Sequence, residues 1–246
     1  MRRRFFVEKF DDRSATLRGD TAEHLGRVLR AQSGQLYELS DGEKVWLGRV
    51  EQVALAKRGG SRIDFTLLEP VASREPALQI QLLIALVKFD RFEWCLEKAT
   101  ELGVAEILPL AAARSEKALV VSAEKRGARW GKIVFESAQQ SRRLRTPALS
   151  AALTPEKAFS RVDRDFFPKV LLSERQDASP IREALAHAGG ITRAALAIGP
   201  EGGWTEAEIA TARGAGFVEA SLGENILRTE TAVLASLAIL RFAAGV

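Results

Sequence analysis

The sequence predicts an α/β protein in two parts: a small all-β unit first, then a larger unit built on a mostly parallel sheet. Three observations carry this. Residues 1–70 hold short strand candidates separated by turn signals, among them Asp41-Gly42. From Leu78 onward, apolar runs alternate with amphipathic helix patterns, the order that yields parallel strands covered on both faces. Near the carboxyl end, two strand–loop–helix units follow one another over 194–243, each with a glycine-bearing, charged loop.

In chain order, Phe5 to Phe10 and Ala15 to Arg18 are short strands. Asp20 or Thr21 caps a helix over Ala22 to Ala31, with Leu25, Val28 and Leu29 on one face. On that helix Arg27 and Arg30 share a face beside His24. Gln35 to Leu39, Val45 to Val53 and Arg62 to Leu68 complete a compact barrel too small to be an enzyme alone. Glu69 to Ala77 contains Pro70 and Pro76 and no clear period, so the boundary falls there and divides 1–72 from 73–246.

Leu78 to Val87 is nearly continuously apolar, as buried parallel strands are. Asp90 to Leu102 is a helix stopped by Gly103, and Ala105 to Leu110 is a strand. A long basic helix runs from Ser122 or Ala123 to about Arg143, weakened by Gly127 and Gly131. Pro155 to Phe159 is helical, Lys169 to Leu172 a strand, and Ile181 to Ala188 a helix. Then come the strand Ala194 to Ile198, a helix starting at Thr205, the strand Phe217 to Leu222, and a helix from about Thr229 to Phe242.

The 246 residues are 46% hydrophobic and 28% charged, an ordinary globular composition. No apolar run reaches the length of about 18 residues that a membrane span needs, and no apolar stretch follows the basic start to make a signal peptide. Cys95 is the single cysteine, which excludes an internal disulfide and a cysteine-based zinc site and fits a cytoplasmic protein. His24 and His187 are the two imidazoles and lie far apart in sequence, so no metal is expected. A formal charge of +4 suits an anionic partner. Arg2, Arg3 and Arg4, Arg27 with Arg30, and Arg142, Arg143 and Arg145 are candidate phosphate contacts, or solvated surface.

The chemical signals sit at the carboxyl ends of strands, where free backbone N–H groups and helix dipoles favour ligands. In Gly199-Pro200-Glu201-Gly202-Gly203 the last two glycines permit positive φ and leave no side chain between backbone and ligand. Thr205 and Glu208 have capping-box spacing. This turn matches neither the dinucleotide fingerprint nor a P-loop. It is either a tight structural turn or a ligand loop. In Leu222 to Ala232, Thr229 is placed to cap the last helix, and Glu230 in its first turn suits the dipole. Arg228 just before it either pairs with Glu201 or Glu230 or clamps a substrate. Lys88 to Arg91 follows the first α/β strand, where Asp90 has a simple reading as a cap. Trp94 and Cys95 read as packing residues, and Trp204 lines either a pocket or the core edge.

At these residues the chain resembles the SPOUT methyltransferases, and within them the RsmE group, the 16S ribosomal RNA uracil-N3 methyltransferases. The segments are HLGRVLR (His24 to Arg30), KFDRFEWCLEKATELGV (Lys88 to Val104), ESAQQSRR (Glu136 to Arg143), IGPEGGWTEAEI (Ile198 to Ile209) and LGENILRTETA (Leu222 to Ala232). The chain departs from the family pattern at Asn225, where Arg is usual, and at Phe89, where Gly is usual.

The resemblance implies a PUA-like barrel for RNA docking, a trefoil-knotted domain, a homodimer, and S-adenosyl-L-methionine as cofactor. Its holders would be Leu172, Ser173 and Glu174; Ile198, Gly199, Pro200, Glu201, Gly202 and Gly203; Leu222, Gly223, Ile226 and Leu227; and Thr229 and Ala232. The partner would be 16S rRNA in the small ribosomal subunit, methylated at one uridine of the decoding region. RNA contacts would add Lys88 and Arg91 to the arginines named above. Attack by uracil N3 on a sulfonium methyl needs alignment rather than a covalent intermediate, so Cys95 is not required. Arg228 would stabilise charge developing on the uracil oxygens. Glu201 or Glu230 would receive the proton, although a carboxylate is a poor base for so weak an acid. The rival readings are a knotted methyltransferase for another rRNA or tRNA nucleotide, a non-catalytic RNA-binding assembly factor, and a phosphate binder. The last is disfavoured by the missing P-loop lysine.

Overall fold

Alternation of apolar side chains decides where each strand lies. The structure, a computed structural model, describes residues 3–56, 60–186 and 189–246. It contains two compact units, Met1–Glu75 with Ala138–Thr146, and Pro76–Ser137 with Pro147–Val246.

The first unit is a mixed five-stranded sheet: β1 (Arg4–Phe6), β2 (Ser14–Arg18), β3 (Leu36–Ser40), β4 (Val45–Ala54) and β5 (Arg62–Pro70), in the order β1-β3-β4-β5-β2. β1 pairs parallel with β3 and the other pairs are antiparallel. Register shifts in β4 at Leu47/Gly48 and Val50/Gln52 curl the sheet. The core of this unit buries Phe5, Leu17, Leu25, Leu39, Val50, Ile63 and Phe65.

The helix expected over Ala22 to Ala31 is shorter and divided. An α-turn, α1 (Gly19–Glu23), runs into a π-helical turn over His24–Val28. The widened ladder shows in Leu29 N–H, which donates to His24 O at 3.1 Å. Neither Asp20 nor Thr21 caps it; the residue at the cap is Arg18, without a side-chain bond. Arg30 lies beyond the turn with φ of 53°, so Arg27 and Arg30 do not share a helical face. Segment 138–146 joins this unit through Ser40 Oγ, which donates to Leu144 O at 2.6 Å, and Arg4 Nη1, which donates to Arg142 O at 2.7 Å.

The second unit runs β6 (Gln79–Ala85), α2 (Phe89–Glu101), β7 (Glu106–Leu110), α3 (Lys117–Gln140), β8 (Ala148–Leu149), α4 (Pro155–Arg161), β9 (Lys169–Leu172), β10 (Ser179–Pro180), α5 (Ile181–Ala186), β11 (Arg193–Ile198), α6 (Glu206–Gly214), β12 (Val218–Ser221) and α7 (Thr229–Ala243). The strand order is β10-β12-β9-β11-β6-β7-β8, with every pairing parallel. Successive residues of β6 face opposite layers. Ile80, Leu82 and Ile84 meet Phe92 of α2, Trp130 of α3, Leu185 of α5 and Leu237 of α7. Leu83 and Ala85 meet Phe159 of α4 and Ile209 of α6. Two layers of helix on a parallel sheet account for the near-continuous apolar strands.

Two differences from the sequence reading concern α3. It begins at Lys117, ahead of Ser122, and Gly127 and Gly131 lie inside it with open space around them, costing only their flexibility. It ends at Gln140, and Arg142 adopts φ of 56°. Arg142, Arg143 and Arg145 therefore follow the helix instead of occupying its last turn. The helix expected to reach Ala188 is described to Ala186; His187 and Ala188 lie outside the described residues. No described helix is long and apolar enough to cross a membrane.

Candidate active site

Strand order brings three loops to one level. β9 lies between β12 and β11, and Leu172 pairs with Ala220 on one side and Ile198 on the other. The chain leaves all three strands at the same height. The loops and the start of α7 enclose a cavity of about 480 Å³, within the usual size of small-molecule sites. Its walls include Leu172, Ser173 and Glu174; Ile198, Gly199, Pro200, Glu201 and Gly203; Leu222, Gly223, Ile226 and Leu227; and Arg228, Thr229 and Ala232. Gly202 is off the wall, its carbonyl turned to accept from Arg114 Nη1 at 2.7 Å.

The glycine loop is shaped by its neighbours. Trp204 is 7% exposed and its Nε1 donates to Leu172 O at 2.8 Å. The residue therefore both lines the cavity and ties two of its loops. A Cβ on Gly199 would fall 3.0 Å from the Trp204 ring, so glycine is needed there for close packing. Gly203 has φ of 70°, a left-handed conformation that side chains disfavour. The capping box is formed: Thr205 accepts from Glu208 N–H, and Glu208 Oε2 accepts from Thr205 N–H at 2.8 Å. The other oxygen of Glu208 accepts from Ala113 N–H at 2.8 Å, fastening the loop after β7 to α6.

Arg228 lines the cavity with extended backbone (φ −64°, ψ 152°) at the cap position of α7. Thr229 is not the cap; it is the first helical residue, 5% exposed, and no side chain caps this end. Among the described residues no ion pair joins Arg228 to Glu201 or Glu230. Both carboxylates face Arg91 instead: its Nη1 donates to Glu201 Oε1 at 3.2 Å, and its Nε is 3.9 Å from Glu230 Oε1. Glu201 lines the cavity and Glu230 does not. Asp90 lies in the first turn of α2 without a capping bond, the cap position being Lys88. Cys95 is a buried residue of α2, and burial, then the Glu230 charge, pushes its thiol up to about 12. Such a group stays protonated at neutral pH and is no nucleophile.

Sequence reasoning passed over Arg114, Arg175, Glu206 and Ser221, all on the cavity wall. Arg175 is held by Asp177 at 3.0 Å and Glu206 at 2.5 Å. Asp177, then Glu206 and Glu219, keep its guanidinium well above its ordinary value. Arg114 follows the carboxyl end of β7, so the strand-end rule applied to β7 would have found it. Among the described residues no group of three or more His, Cys, Asp or Glu side chains is placed to hold a metal ion.

The candidate RNA-contacting residues divide by environment. Arg2 lies outside the described residues, and Arg3, Arg30 and Lys88 are exposed. Arg4 is only 7% exposed and pairs with Glu38 at 2.9 Å, so its charge is spent inside the first unit. Arg27 pairs with Glu23 at 2.9 Å and donates to Ala56 O at 2.6 Å. Arg142 Nη1 lies 3.8 Å from Glu38, Arg143 is half-buried, and Arg145 is exposed and pairs with Glu75.

Comparison with known proteins places the chain. The family model "RNA methyltransferase domain" matches residues 74–241. The ribosomal RNA small subunit methyltransferase E of Synechocystis sp. is 34% identical over 94% of this chain and 74% of its own. The protein of that name from Mycobacterium bovis is 32% identical over 95% of this chain and 88% of its own. The Neisseria gonorrhoeae enzyme of that name, solved bound to S-adenosyl methionine, is 30% identical, covers 98% of both chains and superposes with a TM-score of 0.83. The chain belongs to the ribosomal RNA small subunit methyltransferase E family of RNA methyltransferases.

Proposed function

We propose that this enzyme transfers a methyl group from S-adenosyl-L-methionine to N3 of a single uracil in the decoding region of 16S rRNA, within the small ribosomal subunit. The observation that carries the reading is the convergence of three strand-end loops on one cavity of about 480 Å³. Its size, its backbone-rich walls and its close-packed glycine fit an adenosine-bearing cofactor. Support comes from the Neisseria gonorrhoeae relative, which binds that molecule, and from the relatives named for small-subunit rRNA.

The cofactor, when bound, supplies an electrophilic methyl group on a sulfonium. The loops Leu172 to Glu174, Ile198 to Gly203 and Leu222 to Leu227, with Thr229 and Ala232, hold it in our reading. Arg228 faces the cavity and makes no ion pair among the described residues, which leaves its donors for the uracil oxygens as N3 loses its proton. Arg91 engages Glu201 and Glu230. That pairing favours a positioning role for the two carboxylates over proton acceptance, although Glu201 remains within the cavity.

Residues 1–72 act as a PUA-like docking barrel and 73–246 as a knotted catalytic domain, in a cytoplasmic homodimer. Arg3, Arg27, Arg30, Lys88, Arg91, Arg142, Arg143 and Arg145 meet the RNA backbone. The test is transfer of labelled methyl from S-adenosyl-L-methionine to small subunits lacking the modification, with the product base identified. 3-Methyluridine at one position supports the reading, and any other modified base, or no transfer, overturns it.

A further inference from the structure

One arginine of the second unit is held by a ring rather than by a carboxylate. Cζ of Arg126, on α3, stands over the Phe89 ring, 4.6 Å from its centre. Phe89 is the first residue of α2 and is braced edge-on by Trp130, with ring centres 5.9 Å apart. The neighbouring acid does not account for Arg126. Glu93 is taken by Arg129, whose Nε donates to its two oxygens at 2.8 and 2.9 Å and whose Nη2 lies 2.7 Å from Oε2. Arg126 Nη1 reaches Glu93 Oε1 only at 3.5 Å. Attraction to the ring fixes the guanidinium, and its side chain is still 42% exposed.

This pair stands at the sheet edge that carries the cavity. β6 neighbours β11, and α2 starts where β6 ends. Two residues beyond Phe89, Arg91 bonds Glu201 on the cavity wall. Lys88 and Lys125, next to Phe89 and Arg126 in the chain, are exposed, and such cations suit a polyanion. A phosphate contact alone needs no ring, since a flexible lysine serves it. A guanidinium backed by an aromatic ring offers its other face as a flat, fixed surface, and unpaired bases of RNA stack on such planes.

We infer that Arg126, backed by Phe89, is a stacking platform for an unpaired nucleobase flanking the target uracil. The inference rests on the proposed function and deepens it: a second nucleotide of the substrate is held by α3, a helix given no RNA contact above. The base lies on the free face of the guanidinium, and Lys88 and Lys125 meet the phosphates beside it.

Fluorescence anisotropy with two single strands tests the platform. One is an oligouridylate of about ten nucleotides, within the usual size of single-strand sites. The other is an abasic ribose-phosphate strand of the same length and charge. Wild-type protein should bind the oligouridylate more tightly. Phe89→Leu keeps an apolar side chain and removes the π face; Arg126→Lys keeps the charge and removes the plane. Each should weaken the oligouridylate by about tenfold, as loss of one stacked base does, and leave the abasic strand within about twofold. Arg126→Lys changes a side chain at the surface and decides the matter if Phe89→Leu disturbs the packing on Trp130. Equal weakening of both strands would reduce Arg126 to a phosphate contact and overturn the platform. No weakening of either strand, or a wild type that binds both alike, would overturn it too. Labelled methyl transfer to small subunits by the same wild-type sample is scored separately, and its absence removes the functional reading whatever the two strands show.

Discussion

Trp204 Nε1 donates to the carbonyl of Leu172 at 2.8 Å, and the same indole ring lies against Gly199. One side chain thus fixes the separation of two strand-end loops and the room between them. Gly199→Ala should therefore push a methyl group into the ring. The expected cost is about 1–3 kcal/mol of stability, as for overpacked cores, with loss of cofactor binding. Denaturant midpoints and calorimetry on the variant check both.

Glu208 joins the start of α6 to the loop after β7 through Thr205 and Ala113. Glu208→Ala should destabilise the second unit by about 2 kcal/mol, the upper range for a helix cap, because it also strands Ala113 N–H. Glu208→Gln should cost less. Thermal unfolding of the two variants orders them.

Arg228→Ala should reduce kcat by about 100-fold, the loss seen when one donor to a developing oxyanion is removed. Affinity for S-adenosylhomocysteine should stay within about twofold, because Arg228 is assigned to the uracil and not to the cofactor. A variant that methylates at the native rate would remove Arg228 from the mechanism.

Cys95 sets a pH dependence. Burial, then Glu230, raises its thiol from 9.0 to about 12. Between those values the unfolded chain releases a proton that the folded chain keeps. Stability falls there as pH rises, by at most about 1.4 kcal/mol per pH unit. Cys95→Ala should abolish this component. Urea midpoints at pH 8 and pH 10 should converge toward each other in the variant relative to wild type.

Arg4 and Arg30 should separate stability from RNA affinity. Arg4 is buried against Glu38, and Arg4→Ala should cost about 3 kcal/mol by leaving that carboxylate with only the longer Arg142 contact. Arg30 is exposed, and Arg30→Ala should leave stability unchanged while lowering the salt slope of RNA binding by about one. A salt-independent affinity in the wild type would contradict phosphate contact altogether.

Much of this was legible in the chain because the strands declare themselves. Gln79–Ala85 and Arg193–Ile198 are apolar on both faces, and each ends where a glycine or charged loop begins. Thr205 and Glu208 announced α6 by spacing alone. What stayed hidden depends on contacts distant in sequence. The buried pairing of Arg4 with Glu38 does not show in a run of three arginines. The π-turn at His24–Val28 has the same apolar spacing as a short α-helix. β8 and β10, two residues each, are too short to carry a period. Arg114 sits on a strand-end loop that carries no glycine to mark it, and the Glu208 bond that fastens this loop to α6 spans 95 residues.

The most direct measurement is titration of S-adenosylhomocysteine into the pure, folded chain and into Gly199→Leu. The account predicts saturable binding at one site per chain, lost in the variant because the larger side chain meets Trp204. Absence of binding to the wild type, or equal binding to both proteins, would contradict a cofactor pocket built from these loops.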